Sequence, residues 1–159
     1  MSPYPDRRDA APRWARATSF ALSLAAVGIA SYLTVTHYSD PTALACPERG
    51  VGNCTLVTTS SWSVFLGVPV AVWGLAWSLV MAGLTSPWAW RARWGRLDQV
   101  RVVASGLGAA TVLYLVYVEL FRIGAICLWC TGVHVVTVCL FGVVLAGQAA
   151  ARREAAVLA

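Results

Sequence analysis

Residues 18–37 of the chain read TSFALSLAAVGIASYLTVTH, an apolar run of twenty residues with no acidic side chain and no arginine. A helix rises about 1.5 Å per residue, so this run spans about 30 Å, the hydrocarbon thickness of a bilayer. A cleavable signal peptide is the alternative, because Gly28, Ala30 and Ser31 are small enough for a cleavage site. The run is long for a signal, however, and continues past those residues. It therefore predicts a first transmembrane helix.

Three more apolar segments follow, at about 63–84, 102–121 and 125–147. Pro69, inside the second segment, is expected to bend the helix or to start it. The chain is 58% hydrophobic and only 12% charged, whereas an ordinary soluble domain has about 25% charged residues. This composition argues against a soluble enzyme, and against interpreting the net charge of +5 as a nucleic-acid-binding surface. We predict an all-α integral membrane protein, a four-transmembrane-helix bundle without a nucleic-acid partner.

The arginines predict the orientation of the bundle. All 12 basic residues are arginine, and ten of them lie in the two terminal segments and in residues 85–101. Arg49 and Arg122 are the exceptions. Because cytoplasmic segments of membrane proteins are enriched in basic residues, we expect both termini in the cytoplasm of a multi-pass inner or plasma membrane protein. The expected organisation is a cytoplasmic basic tail at 1–17, a four-helix membrane domain at 18–147 with an extracytoplasmic cysteine loop at 38–62 and a cytoplasmic loop at 85–101, and a cytoplasmic tail at 148–159.

Four of the five cysteines are expected on the outer side, where disulfides persist. Cys127-Leu128-Trp129-Cys130 is a CxxC motif at the predicted start of the fourth helix, and a helix N-terminus favours the thiolate. Cys46 and Cys54 lie on the outer loop. Three interpretations remain open at this point: a redox relay, two static disulfides, or a four-thiolate metal site, although zinc sites usually pair two close-spaced cysteine motifs. Cys139 is expected to be a buried, inert thiol.

Two ionisable side chains fall within the predicted spans. His134 follows Cys130 by four residues, on the same helix face, and an ionisable residue in a membrane span is a functional hypothesis by default. His134 could hydrogen-bond a ligand carbonyl or move a proton, and the alternative is a structural hydrogen bond to a backbone carbonyl. Glu119 is expected to reach outward or to pair with Arg122, three residues further on.

Several of these motifs, in this order on four apolar segments, resemble the vitamin K epoxide reductase family, particularly its bacterial members. The resemblance covers roughly residues 18–147. Its most specific parts are Cys46-Pro47, Cys54, Val57-Thr58-Thr59-Ser60, the run GVPVAVWGL at 67–75, and Cys127-Leu128-Trp129-Cys130.

The resemblance implies a four-helix bundle around a quinone and a cysteine relay. By position, Cys46 matches the family's cysteine that exchanges with an outside thiol partner. Cys54 matches the one that then bridges to Cys127. Cys130 matches the cysteine beside the quinone ring, and Ser60 matches a loop serine or threonine near the active site. The implied function is a thiol–quinone oxidoreductase that supports disulfide bond formation, with no metal.

The sequence also departs from the family's vertebrate members. Where those members hold the quinone with an asparagine, this chain has Ser63 or a neighbour, and where they have a tyrosine on the fourth helix it has His134. Ser63, Leu66 and His134 are therefore the candidates for quinone binding. These departures favour reduction of menaquinone or ubiquinone, and reduction of a vitamin K quinone or epoxide is the alternative. Many bacterial relatives carry a fused thioredoxin domain, whereas this chain stops soon after the fourth segment. The expected partner is therefore a separate extracytoplasmic thioredoxin-fold protein.

Overall fold

The computed structural model describes residues 11–40, 44–46, 51–90 and 95–157. Helices dominate the described residues. In chain order they are α1 (Arg13–Ser39), α2 (Cys54–Thr59), α3 (Val70–Thr85), α4 (Gly95–Val118) and α5 (Leu128–Val157). A short antiparallel hairpin, β1 (Val64–Phe65) and β2 (Val68–Pro69), precedes α3, and a π-helical turn, Glu119–Ile123, extends α4.

Within the described residues, three helices are long and apolar enough to cross a membrane: Arg13–Ser39, Arg96–Ile123 and Leu128–Glu154. The predicted helical membrane architecture is thereby confirmed. The remaining apolar helix, Val70–Thr85, has 16 residues. At 1.5 Å per residue it rises only about 24 Å, less than the hydrocarbon core of about 30 Å.

The second apolar segment is helical only in its later part. Its first residues form a 3-10 turn, Ser61–Ser63, and the β1–β2 hairpin, whose turn residues Leu66 and Gly67 both have positive φ. Helix α3 begins directly after Pro69, which confirms that proline starts the helix. Proline lacks an N–H group but has a φ suited to the helix entrance, so the hairpin and the helix meet at this residue.

The other helices extend beyond the predicted apolar segments. Helix α1 begins at Arg13, α4 begins at Gly95 inside the segment predicted as a loop, and α5 continues to Val157. Arginine is a good helix former, so polarity alone does not end a helix. Arg101, which is completely buried, donates hydrogen bonds to the Leu84 carbonyl and to Asp98. These partners satisfy part of its hydrogen-bonding capacity inside the bundle.

Helix α1 packs against α3 and α5, and α4 packs mainly on α5. Two buried clusters form between the helices. The first surrounds the loop cysteines and the start of α5 and comprises Leu33, Leu44, Cys54, Val57, Ala125 and Cys127. The second lies towards the other end of the bundle and comprises Met81, Leu140 and Val144. The first cluster is therefore the one that positions the cysteines.

Candidate active site

The two loop cysteines are bonded to each other. Cys46 and Cys54 form a disulfide with their Cα atoms 6.1 Å apart. Cys54 is the first residue of α2, where the Asn53 side chain caps the helix by accepting a hydrogen bond from the Leu56 N–H at 2.8 Å. Cys54 is fully buried, whereas Cys46 is half-buried. Because these two sulfurs are bonded to each other, the four cysteines are not gathered here as four thiolate ligands.

A short backbone pairing attaches the cysteine loop to the CxxC segment. The Ile126 N–H donates to the Val51 carbonyl at 2.9 Å, and the Asn53 N–H donates to the Ile126 carbonyl at 3.1 Å. Cys54 and Cys127 each follow one of these paired residues directly. Both side chains are fully buried in the first cluster. The pairing thus holds the inner loop cysteine and the first CxxC cysteine in one apolar environment.

A second attachment holds the residue before Cys46. The Ala45 N–H donates to the Tyr32 hydroxyl at 3.2 Å, and the Ala45 carbonyl accepts from the Trp129 indole N–H at 3.0 Å. The Tyr32 and Trp129 rings also contact each other, with centroids 4.7 Å apart. We call Tyr32 and Trp129 the aromatic clamp. Because Trp129 lies inside the CxxC motif, the clamp ties Cys46 to the same helix start.

The CxxC cysteines are free thiols at the entrance of α5. Cys127 lies immediately before the helix, and its sulfur accepts a hydrogen bond from the Cys130 backbone N–H at 3.4 Å, in the manner of a helix cap. The N-terminus of α5 also favours the thiolate form of a cysteine at this place. Cys127 is therefore the more acidic thiol expected to take part in exchange with the loop.

Cys130 opens onto a cavity of about 120 Å³ enclosed by α1, the α2 segment, α3, α4 and α5. Its lining surface is predominantly apolar, with several polar side chains among the lining residues. The sequence candidates Ser60, Ser63 and His134 line it together with Cys130. Leu66 does not line it, because it lies at the tip of the β1–β2 hairpin and is 79% exposed. The cavity thus brings Cys130 together with the candidates Ser60, Ser63 and His134, but not with Leu66.

His134 is buried in the wall of this cavity. It is 7% exposed, and its Nδ1 atom has no hydrogen-bond partner among the described residues. Buried polar atoms are nearly always hydrogen-bonded. The hydroxyls of Ser60 and Ser63 differ in this respect, since they donate to the Val57 and Ser60 carbonyls. His134 therefore has hydrogen-bonding capacity left for a ligand.

The structure corrects the expectation for Glu119. It neither reaches outward nor pairs with Arg122, whose guanidinium lies 5.0 Å from the centre of the Trp62 ring. Glu119 is 6% exposed and lines the cavity. Its carboxylate lies beside the Cys127 backbone N–H and the Cys130 thiol. Sequence reasoning missed this residue as part of the site, although the presence of an acidic side chain in an apolar segment was a signal.

The expectation for Cys139 was also wrong. Cys139 is exposed on the surface of α5, so it is not part of the buried core of the bundle. It is nine residues after Cys130 on the same helix. In a membrane span, a small apolar side chain suits a lipid-facing position as well as a core position, so the local sequence does not distinguish them.

The model of the vitamin K epoxide reductase family matches residues 17–145, which is most of the chain. The chain therefore belongs to the vitamin K epoxide reductase family. Together with the three apolar helices, this membership makes it a membrane oxidoreductase of the kind that acts on thiols and a quinone. The Cys46–Cys54 disulfide and the neighbouring CxxC thiols agree with that class of chemistry.

Proposed function

We propose that the protein reoxidises a separate extracytoplasmic thioredoxin-fold partner and passes the electrons to a membrane quinone, and so supports disulfide bond formation. In this proposal α3 completes a fourth crossing together with the hairpin that precedes it. The termini face the cytoplasm of a plasma or inner membrane, because ten of the 12 arginines then lie on that side. The Cys46–Cys54 loop lies on the outer side, where a partner protein can reach it.

The electron path consists of two thiol–disulfide exchanges. A partner thiolate attacks the Cys46–Cys54 disulfide, and the second partner thiol resolves the mixed disulfide, which leaves two loop thiols and an oxidised partner. The Cys54 thiolate then attacks Cys127 of an oxidised Cys127–Cys130 pair. Cys46 resolves this intermediate, so the loop disulfide re-forms and the CxxC pair is reduced. Two electrons and two protons then move from Cys127 and Cys130 to the quinone, which becomes a hydroquinone.

One observation carries this proposal: the backbone pairing between Val51, Asn53 and Ile126. It keeps Cys54 in the same buried cluster as Cys127, while Cys130 opens onto the cavity. The loop pair is oxidised and the CxxC pair is reduced. This is the redox state that, in the proposed sequence, directly precedes transfer to the quinone.

The cavity residues fit a quinone. A quinone has a flat apolar ring and two carbonyl oxygens that accept hydrogen bonds, so it needs an apolar cavity with few donors. The lining surface is predominantly apolar, and the unpartnered Nδ1 of His134, if protonated, can donate to a carbonyl oxygen. We assign the ring to the space beside Cys130 and His134, bordered by Ser60 and Ser63.

Two other interpretations make different demands on the cysteines. Two static disulfides would require Cys127 and Cys130 to be bonded, and their free thiols instead favour redox use. Reduction of a vitamin K epoxide would use the same thiols but a different acceptor. The assay therefore compares the possible acceptors directly.

The test is quinone reduction by the full chain purified in detergent. A small dithiol would be the electron donor, and short-chain menaquinone, short-chain ubiquinone and vitamin K epoxide would be compared as acceptors. We expect dithiol-dependent reduction of at least one quinone, and none by a variant with both Cys127 and Cys130 replaced by serine. No reduction of any acceptor above that variant would favour static disulfides, and reduction of the epoxide alone would favour the epoxide reductase.

A further inference from the structure

Glu119 lies where the regular helix α4 ends, within a predicted membrane span. It begins the π-helical turn Glu119–Ile123, and its carbonyl accepts hydrogen bonds from the Gly124 N–H at 2.9 Å and the Ala125 N–H at 3.2 Å. Gly124 has a φ of +72° and reverses the chain towards Cys127. The end of α4 thus places the acidic side chain of Glu119 next to the start of α5. An ionisable group at such a site is costly unless the surroundings compensate for its burial.

The Glu119 carboxylate lies beside two groups of the CxxC segment. They are the Cys127 backbone N–H and the Cys130 thiol. The N-terminus of α5 favours a negative charge at this place. Glu119 and Cys130 therefore line the same cavity, with the carboxylate beside the thiol.

We propose that Glu119 is the proton-transfer residue of quinone reduction, an assignment that rests on the thiol–quinone activity proposed above. The S–H bond of Cys130 breaks, and its proton moves to a Glu119 carboxylate oxygen. The S–S bond between Cys130 and Cys127 forms, and two electrons pass to the quinone. The new O–H bond of Glu119 then breaks, and its proton moves to a quinone oxygen. The Cys127 thiol supplies the second proton, so two thiols and one quinone become one disulfide and one hydroquinone.

The other titratable groups around the cavity are less well placed for this step. Among the described residues that line it, they are His37 of α1 and His134 of α5. The groups that interact with the Cys130 thiol are Cys127 and Glu119. Cys127 is itself oxidised in the reaction, so it cannot act as a carrier between thiol and quinone. Glu119 lies beside the thiol in the same cavity and keeps its own covalent structure throughout the reaction.

The experiment compares Glu119→Gln, Glu119→Asp and Glu154→Gln with the parent chain in the detergent assay, with short-chain menaquinone and ubiquinone as acceptors. Glutamine keeps the size and the acceptor oxygen of Glu119 but cannot take a proton. Positioned acid–base groups contribute about a hundredfold or more to rate, so we expect Glu119→Gln to lower kcat by at least about that factor with little change in KM. The deficit should narrow as the pH rises, because hydroxide then removes the thiol proton. Glu119→Asp should retain part of the activity.

Glu154→Gln is the matched control, since Glu154 is exposed near the end of α5 and should leave kcat unchanged. A Glu119→Gln variant with parental kcat would overturn the assignment, as would a deficit that is the same at every pH or that lies only in KM. Thermal melting shows whether Glu119→Gln folds. If it does not fold, Glu119→Asp is compared with a folded Glu119→Ala variant. Equal inactivity of these two variants would also overturn the assignment. A parent chain that reduces no quinone would overturn the proposed function itself. An active parent chain with an equally active Glu119→Gln variant would overturn only the assignment of Glu119.

Discussion

The backbone N–H of Asn53 donates a hydrogen bond to the carbonyl of Ile126 across 3.1 Å, although the two residues are far apart in the chain. The residue after each is a cysteine, Cys54 and Cys127, and both cysteines are fully buried. The cysteine loop is thereby held against the CxxC motif, whose Cys130 lines the cavity. This pairing joins the two halves of the proposed relay.

The aromatic clamp should control how readily the loop disulfide is reduced. Trp129→Phe removes the indole N–H that donates to the Ala45 carbonyl but keeps an aromatic ring next to Tyr32. Loss of one such hydrogen bond costs about 1 kcal/mol, or about fivefold in an equilibrium. We therefore expect the Cys46–Cys54 disulfide to be reduced about fivefold faster by a small thiol, as measured by trapping the loop thiols over time.

Trp73→Phe is the matched control for the clamp. Its indole N–H donates to the Phe65 carbonyl at 3.3 Å, away from the disulfide. This variant should reduce at the parental rate. Equal reduction rates for the parent and Trp129→Phe would show that the clamp does not hold the loop.

The orientation of the bundle can be tested by labelling in a chain whose native cysteines have been replaced. A cysteine introduced at Ser86 should stay unlabelled by an impermeant thiol reagent in intact cells and react after permeabilisation. A cysteine at Thr42 should be labelled in intact cells. The reason is the concentration of arginines in the segments assigned to the cytoplasm. The reverse pattern would invert the topology and remove the cysteine loop from the oxidising side.

His134→Ala tests the proposed contact with the quinone. Loss of a neutral hydrogen bond costs on the order of 1 kcal/mol, so the quinone KM should rise or kcat should fall by about five- to tenfold. Exchange between the loop and CxxC cysteines should be unaffected. The neighbouring variant Val135→Ala, on an exposed face of α5, is the control. Parental quinone kinetics in His134→Ala would make His134 a structural residue.

The sequence was sufficient to predict the helical membrane architecture and the place of the CxxC motif at a helix start, because both depend on local patterns. The role of Pro69 was predictable for the same reason. The hairpin at 64–69 was not, since its residues are as apolar as those of a membrane helix. Positive φ at Leu66, a residue that rarely adopts it, leaves no sequence signal.

The position of Glu119 could not be derived from helical spacing. A carboxylate and an arginine three residues apart face each other on a regular α-helix, but the π-helical turn changes that geometry. The turn also places Glu119 next to the start of α5. Because these residues belong to two different helices, helical periodicity cannot predict that they lie together. Cys139 shows the related difficulty that an apolar residue in a membrane helix is equally suited to lipid and to a protein core.

The most direct test of the relay is the activity of single cysteine variants with two electron donors. Cys46→Ser and Cys54→Ser should abolish quinone reduction with a thioredoxin-fold donor but retain part of it with a small dithiol, which can reach the Cys127–Cys130 disulfide directly. Cys127→Ser and Cys130→Ser should be inactive with both donors, because exchange needs an attacking and a resolving thiol. Cys139→Ser, the control, should behave like the parent with both donors. Parental activity in Cys130→Ser would contradict the relay and leave static disulfides as the better account of these cysteines.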